Sequence, residues 1–211
     1  MAAKDNVSLL KDTIQKIQDS LEVLPVIDLN EIPNIDLYMD QVTTFMDEHL
    51  SVAKRNADDK LLTKTMINNY TKNKLLPPPV RKKYTKEHIL VLIFIYYFKN
   101  FLSLQDIQSL LGPLNDRFFR AESGTDLSKI YQEIEDTVIS QTPELSREIG
   151  DLAQRAQEAF LDSPPGEKDF LQYFTLICCL SIDVLIKKRV IEQLIDAALP
   201  ADQKEKEKKK S

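Results

Sequence analysis

Between Lys60 and Lys86 the chain carries eight basic residues, Lys60, Lys64, Lys72, Lys74, Arg81, Lys82, Lys83 and Lys86, and no acidic one. The formal net charge of the 211 residues is −5, so removing those eight positive charges leaves −13 on the remainder. A cationic segment on an anionic body suits a protein that holds a polyanion with one face only. A merely solvated basic face is the plainer alternative. The residue types sharpen the first reading. Thr65, Asn68, Asn69 and Lys72 fall at i, i+3, i+4 and i+7, one polar stripe of a helix with Lys64 beside it, while Met66, Ile67 and Tyr70 lie to the other side. Asparagine amides pair in two-pronged fashion with adenine, and threonine and lysine reach phosphates or base edges. Two successive asparagines are also poor helix formers, so their place in mid-helix asks for a reason. Base or backbone contact is one, and an ordinary polar surface is the other. Three prolines then stiffen the exit, and Arg81, Lys82 and Lys83 form a short basic segment able to lie along a phosphate backbone.

Other chemistry is thinly represented. The sequence holds no nucleophile motif, phosphate-cradling glycine loop or metal-ligand cluster, so an enzyme is not expected, nor a cofactor. His49 and His88 stand without neighbouring cysteines, which disfavours zinc. Cys178 and Cys179 are adjacent within an apolar helix, where two small hydrophobes fit better than a redox pair. Glu133, Glu135 and Asp136 read as a solvated helix face rather than a catalytic pair.

Helices must position these residues. Four glycines against ten prolines leave few residues for tight hairpins, so long helices with proline-marked turns are expected. Val7, Leu10, Ile14, Ile17, Leu21 and Leu24 form an amphipathic N-terminal arm, which Pro25 and Pro33 close. Asp36 can cap a second helix facing inward through Leu37 or Tyr38, Val42, Phe45 and Met46. Thr63 opens the helix of the polar stripe. Thr85 caps an apolar helix reaching residue 101, and Ser103 with Asp106 starts a short one over 104–111 that stops at Gly112-Pro113. Thr142-Pro143 separates two further helices. A last helix over about 167–199 is apolar nearly all round in its first half, which predicts a place at the centre of a bundle or in an interface. The apolar runs 89–98 and 170–186 are short for a bilayer, no signal peptide is evident at the start, and a cytoplasmic chain is expected.

The stretch from Thr65 to Pro77, then Lys82 to His88, then Ser103 to Leu111 resembles the DNA-binding unit of MerR-type bacterial regulators. More closely, residues 36–111 look like a bacterial domain family of unknown function related to MerR. The resemblance implies a winged helix-turn-helix, with Asn68 where the family has a DNA-contacting arginine and Asn69 where it has a phosphate-contacting tyrosine. Lys82 and Tyr84 take the places of the wing's arginine and tyrosine. Lys74 departs from the family's helix-ending glycine, and a left-handed lysine there costs on the order of 1 kcal/mol.

The expected architecture is therefore all-α: an N-terminal helix and linker (1–35), a MerR-like winged-helix domain (36–112), a C-terminal helical bundle or long-helix region (113–199) and a charged tail (200–211). The expected function is a sequence-specific, DNA-binding transcriptional regulator acting as a homodimer on double-stranded DNA, with no membrane partner and no effector that the residues identify. Its contacts are Lys64, Thr65, Asn68, Asn69, Lys72, Arg81, Lys82 and Lys83. The alternative is a helical protein–protein interaction module.

Overall fold

A computed structural model describes residues 6–20, 26–56, 58–121 and 124–198. Among them the chain is mostly helical, 69% helix in seven helices with one small two-stranded sheet. The order is α1 (Asn6–Ser20), β1 (Leu37–Tyr38), α2 (Met39–His49), α3 (Lys64–Lys72), β2 (Lys83–Tyr84), α4 (Lys86–Phe98), α5 (Leu104–Phe118), α6 (Leu127–Gln157) and α7 (Pro165–Ala198). Leu37 and Tyr38, expected on the second helix, instead form β1. It pairs antiparallel with β2, Leu37 opposite Tyr84 and Tyr38 opposite Lys83.

The chain divides into two compact units, residues 25–135 with 190–211 and residues 1–24 with 136–189. This division does not follow the consecutive segments 36–112 and 113–199. The connector before β1 buries Ile27 and Ile32 in the first unit's core, and the end of α7 returns to that core with Ile195.

The first unit is built around α4. Every residue from His88 to Tyr96 is buried, so the helix has no polar face and must be covered on all sides. Val42 and Met46 of α2, Ile67 of α3, Ile107 and Leu111 of α5 and Leu127 of α6 supply the cover. Each fully buried aliphatic side chain contributes roughly 1.5–3 kcal/mol of transfer free energy. The connector is fastened by Tyr131, fully buried, whose hydroxyl donates to the Ile27 carbonyl at 2.6 Å and accepts from the Ile27 N–H at 3.1 Å. Glu135, expected on a solvated face, is only 5% exposed and accepts from the Leu29 N–H at 3.3 Å.

Two expected helix breaks are absent. Helix α5 runs through Gly112-Pro113 to Phe118, because Phe119 and the partly buried Leu114 and Phe118 pack on the core beyond the proline. Helix α6 runs 31 residues through Thr142-Pro143. There the Thr142 hydroxyl turns back to the Val138 carbonyl at 2.9 Å, the bond that a threonine makes inside a helix rather than at a cap.

In the second unit Ile14 of α1, Ala153 and Ala156 of α6 and Leu176 of α7 form a small core. Gly150 admits the Gln18 amide, which donates to the Ser146 carbonyl at 3.0 Å; a Cβ at Gly150 would stand 2.6 Å from that nitrogen. Ile17 of the expected apolar seam is 41% exposed, while Leu21, Leu24, Pro25 and the tail from 200 lie outside the described residues. Nor does the first half of α7 sit at a bundle centre. The helix taken whole, Gly166–Ala198, is long and apolar enough to cross a membrane by length and composition, yet only 11% of its most apolar stretch is buried. Cys178 and Cys179 are half-buried free thiols.

Replacing Tyr131 with phenylalanine removes one hydroxyl and leaves both Ile27 backbone groups buried without their partner. Urea unfolding is expected to show a loss of about 1–3 kcal/mol, larger than a surface change gives. A loss under 0.5 kcal/mol would mean that the connector is held by apolar contact alone.

Candidate nucleic-acid interface

Helix α3 begins where the Thr63 side chain accepts from the Met66 N–H at 3.2 Å. Ile67 and Tyr70 turn into the core, and Lys64, Thr65, Asn68, Asn69 and Lys72 are all exposed. The sequence stripe is thus one outward face of a nine-residue helix. Its C-terminus closes with two bonds, Lys74 N–H to the Thr71 carbonyl at 3.1 Å and Leu75 N–H to the Tyr70 carbonyl at 2.9 Å. This is a Schellman closure, and it places Lys74 at φ 58°, the left-handed position that usually takes glycine. Leu75 and Leu76 are buried just beyond, and Asn115 of α5 donates to the Leu75 carbonyl at 3.1 Å.

After Pro77, Pro78 and Pro79 the chain makes a tight turn closed by Lys83 N–H to the Val80 carbonyl at 3.0 Å. Its two central residues, Arg81 at φ 52° and Lys82 at φ 64°, are both left-handed, the pattern of a type I′ turn. Both are exposed. Such a turn prefers Asn-Gly; two basic side chains in its place store on the order of 1 kcal/mol each. The turn is held at its base. Lys83 lies 5.5 Å from the Tyr38 ring centroid, and Tyr84, 3% exposed, meets the His88 ring edge-on at 5.5 Å.

His88 is the hidden support of this corner. Its Nδ1 accepts from the Thr85 N–H at 3.0 Å, which puts the ring proton on Nε2. That nitrogen faces the Pro78 carbonyl without reaching good hydrogen-bond geometry. Phe119 closes the other side, ring centroid at 4.8 Å. Burial pulls the imidazole below its ordinary value, opposed by the Pro78 carbonyl and the charges of Glu87 and Asp36, and assisted by Arg120.

The predicted contacts do not all reach solvent alike. Thr65, Asn68, Asn69 and Lys72 share one face, and Arg81 and Lys82 share the turn tip. Lys64 forms an ion pair with Asp40, so it meets a phosphate only by exchanging that partner. Lys83 leans over Tyr38. Lys86, part of the basic run, points inward to the Leu29 carbonyl at 3.2 Å and the Asn34 amide oxygen at 3.3 Å. Of the basic run, Lys60, Lys72, Lys74, Arg81 and Lys82 are left as exposed cations with no ion pair among the described residues. Sequence reasoning missed Tyr38, whose strand pairing has only a two-residue signal, and His88, which was read as an isolated histidine. No group of three metal-ligating side chains occurs among the described residues.

The family model that matches is Domain of unknown function (DUF1836), over residues 27–134. This corrects the MerR-like resemblance, since the match is to that family and not to a MerR or winged-helix family. The structure differs accordingly: the supposed wing is a two-residue turn, and residues 50–63 separate α2 from α3. Comparison with curated proteins and with solved structures finds no match. The matched segment nearly coincides with residues 25–135, the continuous part of the unit that carries α3 and the basic turn.

The neutral His88 ring sets a direction for stability with pH. Above the ordinary imidazole value near 6.5 its contribution is fully present. As pH falls through that value the unfolded chain takes up a proton that the folded chain refuses, and stability drops until the lowered folded value is reached. Urea melts at pH 7.5 and 5.5 are expected to show a larger loss for the parent than for His88→Gln. Equal losses would assign the acid sensitivity to other groups.

Proposed function

We propose that this chain, which belongs to the DUF1836 family, binds double-stranded DNA as a transcriptional regulator, with the outer face of α3 toward the major groove and the Arg81–Lys82 turn on the backbone. The observation that carries the reading is the pair of left-handed basic residues at an exposed turn tip. A turn selected for folding alone gains from Asn-Gly there; strain retained in cationic side chains is explained by what those side chains hold. Lys72 and Lys74 extend the cationic edge, and Asn68 and Asn69 offer amides between them on a helix that would be more stable without asparagine. Helix α3 is about 13 Å long, enough to present three or four side chains to base edges. The site is one for binding rather than for catalysis: amides and cations with no nucleophile–base pair. A cytoplasmic location goes with double-stranded DNA as the proposed partner, and two copies would set two such helices in successive grooves about 34 Å apart.

The turn gives the decisive test. Replacing Arg81 with asparagine and Lys82 with glycine together is expected to raise unfolding stability by about 1–2 kcal/mol while weakening binding to random duplex DNA at low salt. Four phosphates held per subunit give a slope of log affinity against log salt near −3.5 for one copy and −7 for two. The double variant should lose about two units of slope per subunit. If it binds random duplexes as tightly as the parent, or if the parent's slope is near zero, the backbone contact is wrong.

The amides are tested separately. Asn68→Ala and Asn69→Ala are each expected to fold normally and to lose about 1–3 kcal/mol on a site selected from a random pool, with little change on unselected DNA. An equal effect on both kinds of DNA would move these residues from base reading to backbone contact.

A further inference from the structure

Helix α7 presents two unlike faces between residues 166 and 189. Gln172, Leu176 and the half-buried Leu180 face the second unit's core, where the Gln172 amide donates to the Gln157 and Ala159 carbonyls at 2.6 and 2.9 Å. On the opposite side Phe170, Phe174, Ile177, Val184 and Leu185 are 54–66% exposed. The positions 170, 174, 177, 181 and 184 alternate steps of four and three, which is the seam of a helix that pairs with another helix. Ser181 holds the fourth place, and its hydroxyl donates to its own helix at the Ile177 carbonyl, 2.7 Å away. The seam therefore carries no polar group in need of water.

We infer that this seam is the docking surface for a second copy of the chain, with two α7 helices crossing antiparallel about a two-fold axis near residues 177 and 178. Charge and shape both select that partner and direction. Exposed Glu167 precedes the seam, and the basic run Lys187, Lys188 and Arg189 follows it. Within the chain Lys187 is already paired with Asp183, while exposed Arg189 lies nine residues before the end of α7, too far for the helix dipole to account for it. In an antiparallel pair Glu167 comes level with the partner's Lys188 and beside the partner's Arg189, Phe170 meets the partner's Leu185, and the Phe174 ring meets the small partner's Ser181. A parallel pair would set acid against acid and base against base. The side chains involved remove on the order of 1,000 Å² from water over both copies, the lower edge of the range for specific association and consistent with a micromolar dimer. A bilayer is a poorer occupant. The apolar run 170–186 is about 25 Å long against a core of about 30 Å. It includes the charged Asp183, ion-paired at 2.7 Å to Lys187 just beyond the run, and its other face is tied to α6 through Gln172.

The surface does not depend on the DNA reading, and its failure would leave the salt and turn experiments untouched. Sedimentation of the full chain at 100 μM is expected to give about twice the 24.3 kDa chain mass. Phe174→Glu and Ile177→Glu change residues already exposed, so each should keep its thermal melt and sediment as a monomer at the same concentration. Direction is read by charge reversal. Glu167→Arg and Arg189→Glu are each expected to weaken the dimer about tenfold, and the double variant to recover it. A monomeric parent overturns the proposal, as does a dimer indifferent to the seam variants. Failure of the double reversal to recover association overturns the antiparallel direction. If the monomeric parent instead floats with phosphatidylcholine vesicles and Phe174→Glu does not, the occupant is a lipid surface and the proposal is wrong.

Discussion

A helix with no polar face is the constraint on which the DUF1836 unit depends. From His88 to Tyr96 every side chain of α4 is buried, so no arrangement of the surrounding elements is acceptable that leaves one side of it wet. The connector, α2, α3, α5, the start of α6 and the end of α7 each supply a few aliphatic side chains to that shell. None of them needs a long apolar stripe of its own. Two or three inward residues suffice, which leaves most of each outer helix open to polar side chains. Helix α3 shows the result: Ile67 and Tyr70 anchor it, and the other faces carry asparagine, threonine and lysine.

The same enclosure explains how strained backbone persists next to the core. Lys74, Arg81 and Lys82 all adopt positive φ, and each is bracketed by buried neighbours, Tyr70, Leu75 and Leu76 on one side and Tyr84 with His88 on the other. The surrounding packing over-determines the path of the chain, so side chains that would choose another conformation in isolation are carried along. Local preference and tertiary demand disagree here, at the surface where the cations are displayed. Elsewhere in the unit they agree, as the caps at Thr63, Thr85 and Ser103 show.

The helix starts at Thr63, Thr85 and Ser103 were legible because a cap is a local matter, decided by one hydroxyl and the next three residues; those expected at Asp36 and Thr142 were not, since α2 begins after Tyr38 and α6 runs through Thr142. The outward stripe of α3 was legible because its two inward residues are spaced as a short amphipathic helix requires. Of the helix ends marked by proline, the stop before Pro77 held and two others did not. Pro113 and Pro143 sit inside α5 and α6, where packing beyond the break and a threonine hydroxyl outweigh one lost backbone bond. The small sheet was invisible because two residues per strand hold no periodicity. Burial of Glu135 was missed since its partner, the Leu29 N–H, lies 106 residues away. An apolar composition described α7 correctly as hydrophobic but not what would cover it, because composition carries no list of neighbours. The MerR-like order of motifs misled for a related reason: a helix, a basic turn and a second capped helix are common local solutions, and only their lengths and the family match separated this chain from that family.

The Tyr131 clasp has a further consequence for how the family's module is used. Ile27 is the first matched residue and Tyr131 lies three positions before the last, 134, and a single hydroxyl joins them through both backbone groups of Ile27. The two edges of the matched segment are therefore held together at one buried point. A segment whose ends coincide can be spliced between two consecutive residues of another chain without forcing those residues apart. The sequence that follows is held to one condition, since it must still bring Ile191 and Ile195 of α7 back to the same core.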